Sequence, residues 1–460
     1  MAQVAWAPRV WQGQPRRPSM EAGTGGLAAP LESANGPARC LEQRRHRVVG
    51  VLSEYLLPVT VCWALLVNHY ARDITGALER EIESGLAIDT QRFQALNSAY
   101  FAPNIFAPLL MGAVAEYAGA NRVFVLVTGV AAFGHFFVGC GGQMHSYGLL
   151  LAGRIMLGLT YETIDMLPIP ILAPLYGDRW GLLVGLFNCG LRMGSILNFA
   201  LSPAVYNVSG LAAALWLSGA LGFSGFAAAC LCFRLLRRAK RRSSDSPLGD
   251  EEASGGGSGR GGVEVGGGQR VEAMTFALFL SIGALMYSAI VPFWFCGGAF
   301  IRSKWGYSLE AADALMLFPE GGMVLLSPLV GIAIDALHMK PRTCLAWLAG
   351  CMVCVVSAFG LLIYVPAASM PPIVPLAILG IGWAISNTTF WSLSSSMIPS
   401  RCLSFGSGLL GCSLNLGATV LPILMGGSER EDAGLGFLML AAAAAAVVIV
   451  LLLLVHRPIV

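Results

Sequence analysis

The chain has 460 residues, of which 56% are hydrophobic and only 12% charged, and its formal net charge is +3. A soluble domain carries roughly 25% charged residues, so a water-soluble enzyme is excluded; a nucleic-acid binder is excluded too, because the arginine clusters stand beside apolar runs. Apolar stretches of about 20 residues recur from Val48 to Leu454, each long enough to cross a hydrocarbon core of ~30 Å.

In chain order, residues 1–47 read as a disordered basic tail with no apolar segment near the start, so no cleavable signal peptide is expected. Six spans follow at 49–71, 94–115, 122–142, 147–174, 180–206 and 210–233. A basic, then acidic, then Gly/Ser-rich stretch over 234–271 cannot pack a core and reads as a flexible linker. Six more spans lie at 272–300, 311–336, 342–365, 371–397, 404–426 and 434–455, with a short tail at 456–460. The expected fold is all-α and membrane-embedded, with twelve helices in two six-helix bundles, 48–233 and 272–455. Arg39, Arg44, Arg45 and Arg47 fall on the same side as the cluster from Arg234 to Arg242. The excess of Lys and Arg makes that side, tails and linker included, cytosolic. The 12 cysteines sit mostly inside spans and read as small packing residues. Cys351 and Cys354 form a CxxC without a second pair, so no metal or other cofactor is expected.

Between the second and third spans stands "GAVAEYAGANR", with Gly112, Glu116, Gly119 and Arg122. Its counterpart in the second half, "GIAIDALHMKPR", supplies Gly331, Asp335 and Arg342 but lacks the middle glycine. Glycine permits close helix approach, and the acid can pair with an arginine or cap a helix start. Such a charge lock suits a conformational switch. Its recurrence at equivalent loops argues for parallel repeats.

The fourth span carries Arg154, Gly158 and Glu162 on one broad face, and the fifth carries Asn188, Arg192 and Ser195 at i, i+4, i+7. Glu162 and Arg192 fall near the centres of their spans. Charges at that depth face a bundle interior or an aqueous cavity, as a substrate site or as a salt bridge with each other. Asp165 lies off that face and reads as structural. Tyr100 and Asn104, Tyr287, Asn387 and Trp391, and Asn415 stand at the same level, as substrate contacts or as interhelical hydrogen bonds. His69 and Asp73 read as a solvated helix end, with a proton-sensitive pair as the other reading. An embedded hydrolase finds no support, because His135, His145 and His338 are scattered.

The duplicated loop resembles the G-x-x-x-D-x-x-G-x-x-R motif of the major facilitator superfamily, with Glu in the acidic position. "AYFAPN", "GRIMLGLTYET", "LVGLFNCGLRMGSILN", "PFWFCGGAFIRSKWGYS" and "NLG" at Asn415–Gly417 are similar to segments of its lysosomal dipeptide transporter branch. That resemblance implies alternating-access uniport of dipeptides out of a lysosome or vacuole, no cofactor, and an accessory membrane glycoprotein as partner. It also implies that Glu162 grips the peptide's ammonium and Arg192 its carboxylate. The chain lacks the branch's acidic dileucine signal, which leaves the plasma membrane as the other location. Proton-coupled transport of amino acids or small organic anions is the rival function, and a non-transporting receptor or scaffold a third.

Overall fold

The computed structural model describes residues 36–244, 267–426 and 431–455. The tail before residue 36, the middle of the expected linker and the tail after residue 455 lie outside them. Ser53–Val460 form one unit, within which the helix contacts described here are made.

Helix α1 is Gly36–Ala77, and a short helix, Glu79–Leu86, links it to α2 by burying Ile82. Helix α2 is bent: Thr90–Phe101 meets Ala107–Ala118 at 44° through the 3-10 turn Ala102–Ile105. Pro103 and Pro108 cause the break, because each removes a backbone donor. Asn104 replaces part of the lost ladder by donating from Nδ2 to the Tyr100 carbonyl at 3.2 Å. Helix α3 is Ala120–Gln143, and α4 is Tyr147–Met166 continued by Pro168–Leu172. Helices α5 and α6 form one run, Trp180–Ser244, interrupted at Gly210, whose φ of 79° suits glycine alone among common residues.

The second half repeats the pattern. Helix α7 is Gly267–Ile290, followed after Pro292 by Phe293–Trp305; α8 is Leu309–Ala336 and α9 Pro341–Tyr364. Helices α10, α11 and α12 are Ile373–Met397, Leu403–Gly426 and Glu431–Val455. Eight helices of the described residues are long and apolar enough to cross a membrane, or nine with the bent α2 as one span. One of those eight holds both α5 and α6. With α1 and α11 the described helices make the expected twelve.

Several boundaries differ from expectation, the first being that α1 starts at Gly36, so residues 36–47 of the tail expected to be disordered are helical. Helix α1 runs past 71 to Ala77, so its polar end is helical. Helix α6 runs past 233 to Ser244, over a stretch rich in Arg and Lys, which are good helix formers, and α7 starts at Gly267. The single span expected over 272–300 breaks at Val291-Pro292.

The halves meet along α2–α11 and α5–α8, and small residues set how close. A Cβ on Gly408 would stand 2.2 Å from the Pro108 carbonyl oxygen, and one on Gly331 would stand 2.2 Å from that of Gly181. Both contacts fall toward the end of the molecule bearing the duplicated loops.

Candidate substrate site

Helix α5 presents its polar stripe to three different neighbours. Asn188 Nδ2 donates to Thr388 Oγ1 on α10 at 3.4 Å. Arg192 Nη1 pairs with Glu320 of α8, at 3.1 Å to Oε1 and 3.0 Å to Oε2. Ser195 Oγ accepts from Arg72 Nη2 of α1 at 3.2 Å. Two of the three contacts cross between the halves. Asn188 and Arg192 therefore face the interface, while Ser195 faces α1 of its own bundle.

Glu162 of α4 also reaches the interface. It is 9% exposed, and a Cβ on Gly411 of α11 would lie 3.1 Å from its Cγ. The Asn415 side chain lies beside its carboxyl group, and Asn415 Nδ2 itself donates to the Gly411 carbonyl at 2.9 Å. The Glu162 backbone N–H donates to Asn104 Oδ1 at 3.4 Å. Arg192 is taken by Glu320, so the salt bridge between Glu162 and Arg192 weighed from sequence does not form. The two groups stand on helices consecutive in the chain and have separate partners.

Besides Glu320, the opposing half presents neutral groups. Trp391 Nε1 donates to the Tyr287 hydroxyl at 3.0 Å, which donates in turn to Asn387 Oδ1 at 3.1 Å. Tyr287 lies within electrostatic reach of both Glu162 and Arg192. Tyr100 behaves differently. It is 1% exposed, with the Arg154 guanidinium 4.0 Å above its ring and Tyr161 against it at 5.4 Å. Its place is inside the first bundle, as packing.

Behind Glu162 lies a buried polar cluster that the sequence reading dispersed. His69 Nε2 meets Asp165 Oδ2 at 2.9 Å, and Asn68 Nδ2 donates to Asp165 Oδ1 at 2.9 Å. Arg72 holds Asp73 through two nitrogens, at 2.7 and 3.0 Å, and donates to the Tyr161 hydroxyl at 3.2 Å. The solvated helix end expected at His69 and Asp73 is thus corrected. The helix continues beyond them, and each finds a buried counter-ion or hydrogen-bond partner instead of water. Fully buried Arg154 donates from Nη1 to the carbonyls of Ala71 and Arg72, both at 3.3 Å.

At the loop-motif end each acid caps a helix of the other half. Glu116 Oε2 accepts the N–H groups of Ser404 and Phe405, both at 3.1 Å, at the start of α11. Asp335 accepts those of Gly181 at 2.9 Å and Leu182 at 2.6 Å, at the start of α5. A carboxylate at a helix N-terminus satisfies orphan donors and opposes the positive end of the helix dipole. A Cβ on Gly112 would lie 2.7 Å from the Ser404 carbonyl oxygen, so that glycine lets α2 approach α11. Gly119 starts α3 with φ 91°, Arg122 donates to the Ala118 carbonyl at 3.3 Å, and Arg342 is exposed. The arginines of the motif are not the partners of its acids.

Glu320 was missed from sequence. Its signal was a single carboxylate, in "LFPEGGM", deep inside an apolar run, which is a functional flag in any membrane helix.

Two bundles of six helices meeting around charged mid-helix residues define a secondary membrane transporter. The chain belongs to the Major Facilitator Superfamily, whose family model matches residues 61–422. It is 24% identical over 415 residues to the human lysosomal dipeptide transporter MFSD1, covering 86% of this chain and 83% of that one. A bacterial homologue of the iron transporter ferroportin, in an outward-facing state, superposes with a TM-score of 0.67 at 12% identity over 86% of this chain and 99% of that chain. The human organic anion transporter MFSD10 (TETRAN) gives 0.59 at 15% identity over 88% and 99%. The protein is a multi-pass membrane transporter that binds a small-molecule substrate, and not an enzyme.

Proposed function

We propose that the protein carries dipeptides by uniport, using alternating access of its two bundles around a site between α4, α5, α7, α8, α10 and α11. The observation that carries this reading is the placement of Glu162 and Arg192. They are opposite charges on helices consecutive in the chain, each turned toward the other half rather than toward each other. A dipeptide offers an ammonium and a carboxylate ~6–7 Å apart when extended. Arginine gives a planar fork to the carboxylate and glutamate accepts the ammonium. Asn188, Tyr287, Trp391 and Asn415 supply neutral contacts from the surrounding helices. Relatives named as lysosomal dipeptide transporters support the substrate class, and a lysosomal or vacuolar membrane with an accessory glycoprotein follows from the same reading. Gly112, Glu116, Gly119 and Arg122, with Gly331, Asp335 and Arg342, form the conformational switch on the cytosolic side.

The test uses purified protein and a dipeptide panel, read first as ligand-dependent thermal shift and then as uptake into proteoliposomes. Arg192→Lys keeps charge but loses the fork, so affinity for dipeptides falls about tenfold or more while the protein still folds. Glu162→Gln weakens peptides with a free N-terminus more than their N-acetylated forms. Equal loss for both forms removes Glu162 from ammonium binding.

A second reading, proton-coupled transport, is favoured by one observation. His69, Asp165 and Tyr161 form a buried chain of titratable groups next to Glu162. Concentrative uptake driven by an imposed pH gradient supports that reading, and equilibration alone supports uniport.

A further inference from the structure

The ion pair of Arg192 and Glu320 joins the two halves near the middle of α5 and α8, and the dipeptide reading leaves Glu320 without a task. A single guanidinium nitrogen, Nη1, serves both carboxylate oxygens, at 3.1 and 3.0 Å. The strongest arginine–carboxylate geometry uses two nitrogens in parallel, so the fork is only partly used. Among the described residues, no other acceptor takes a hydrogen bond from Arg192. The two side chains are 14% and 24% exposed, so the pair borders accessible space. Glu320 stands between Pro319 and Gly321. Proline deletes one intrahelical hydrogen bond, and glycine eases bending. The charge therefore sits where α8 deforms most readily.

We propose that Glu320 is an internal stand-in for the substrate's carboxylate: it occupies Arg192 while the site is empty, and an incoming zwitterion displaces it. This rests on the dipeptide reading above. Removing one partner from a sheltered ion pair is costly because the other charge is left alone. A simple anion would satisfy Arg192 but strand Glu320, and a simple cation would do the reverse. A zwitterion satisfies both at once, with its carboxylate on Arg192 and its ammonium shared by Glu162 and Glu320. Glu320 thus selects for zwitterions. Its release also removes the charge tie between α5 and α8 at the moment the ligand is held.

The experiment uses the full-length protein in detergent and three probes: L-alanyl-L-alanine, its N-acetyl form and its C-terminal amide. Affinities are measured by calorimetry for wild type and Glu320→Gln, and backbone hydrogen exchange is followed over 309–325 without ligand. In wild type the N-acetyl form binds about tenfold or more weaker than the free dipeptide. In Glu320→Gln it binds about tenfold better than it does to wild type, because no carboxylate is stranded; the amide stays weak in both. Exchange over 309–325 is faster in the ligand-free variant. The proposal is overturned if the N-acetyl form gains nothing from Glu320→Gln, or if exchange over 309–325 is unchanged. If wild type binds none of the probes, the dipeptide reading falls, and the exchange measurement alone decides whether the tie exists. Should Glu320→Gln not fold, the neutral pair Arg192→Gln/Glu320→Gln leaves no lone charge and folds with the same faster exchange; wild-type exchange in it overturns the tie.

Discussion

The two halves of the molecule share a fold but not a chemistry. Inside the first bundle, His69, Arg72, Asp73, Arg154, Glu162, Asp165 and Arg192 lie away from exposed surface, most of them in contact with one another. Among the described residues of the second bundle, Glu320 is the carboxylate that meets the interface in mid-helix, and the other polar groups described on that side are the amide of Asn387, the hydroxyls of Tyr287 and Thr388 and the indole of Trp391. Charges that compensate each other within one bundle hold that bundle rigid and fix the binding groups in place. The other bundle can then leave without exposing a web of broken ion pairs. Among the described residues, separation at the centre breaks the Arg192–Glu320 ion pair, the long Asn188–Thr388 hydrogen bond and the contact of Glu162 with Asn415, and at the loop-motif end it breaks two helix caps.

The largest effect is expected inside the first bundle. Arg154→Ala empties space against Tyr100 and removes the ties to α1, so the thermal stability of purified protein should fall by about 2–4 kcal/mol. Arg154→Met, which keeps the length of the stem, should recover most of that loss, because Nε and Nη2 of Arg154 have no hydrogen-bond partner among the described residues. If Met is as damaging as Ala, the guanidinium's charge matters more than its bulk.

A smaller effect is expected at the caps. Glu116→Ala and Asp335→Ala should each shift the balance between conformations by about 0.3–2 kcal/mol, the range for a carboxylate at a helix start. The pair lie on different contacts and should be nearly additive. Transport rate should change more than ligand affinity, which a rate measurement beside a binding isotherm on the same variants checks. Abolished binding in a folded protein would move the substrate site to the loop-motif end.

The smallest effect belongs to the hydrogen bond between Asn188 and Thr388. At 3.4 Å it is long, so Thr388→Val should cost about 1 kcal/mol or less in stability, with substrate selectivity unchanged. A large change in selectivity would make Thr388 a direct ligand contact.

Much of this arrangement was legible in the chain itself. Helix existence followed from apolar runs, and the stripe Asn188, Arg192, Ser195 followed from helical periodicity, because side-chain facing is local geometry. The partners were harder to read. That Arg192 meets Glu320 rather than Glu162 depends on how the two halves dock, which no local pattern encodes. The burial of His69 and Asp73 was misread for a related reason. A polar residue near an expected helix end looks solvated until a second helix supplies Asp165 or a neighbouring Arg72 turns inward. The capping roles of Glu116 and Asp335 were half legible: the acid was visible, but the backbone that receives it lies in the other half of the sequence.

That last feature bears on how the protein tolerates mutation. In each cap the acid is a side chain, while the receiving groups are main-chain N–H donors of Gly181 and Leu182 or of Ser404 and Phe405. A single substitution can delete either acid, but among common residues only proline deletes a backbone donor. Leu182, Ser404 and Phe405 can change identity as long as their helices still start in the same place, but Gly181 cannot, because a Cβ there would lie 2.6 Å from Asp335 Oδ1 and 2.9 Å from the Gly331 carbonyl oxygen. Half of each latch is therefore carried by the peptide backbone, so genetic vulnerability concentrates on Glu116, on Asp335 and on the glycines that let the two sides meet, Gly112, Gly181 and Gly331.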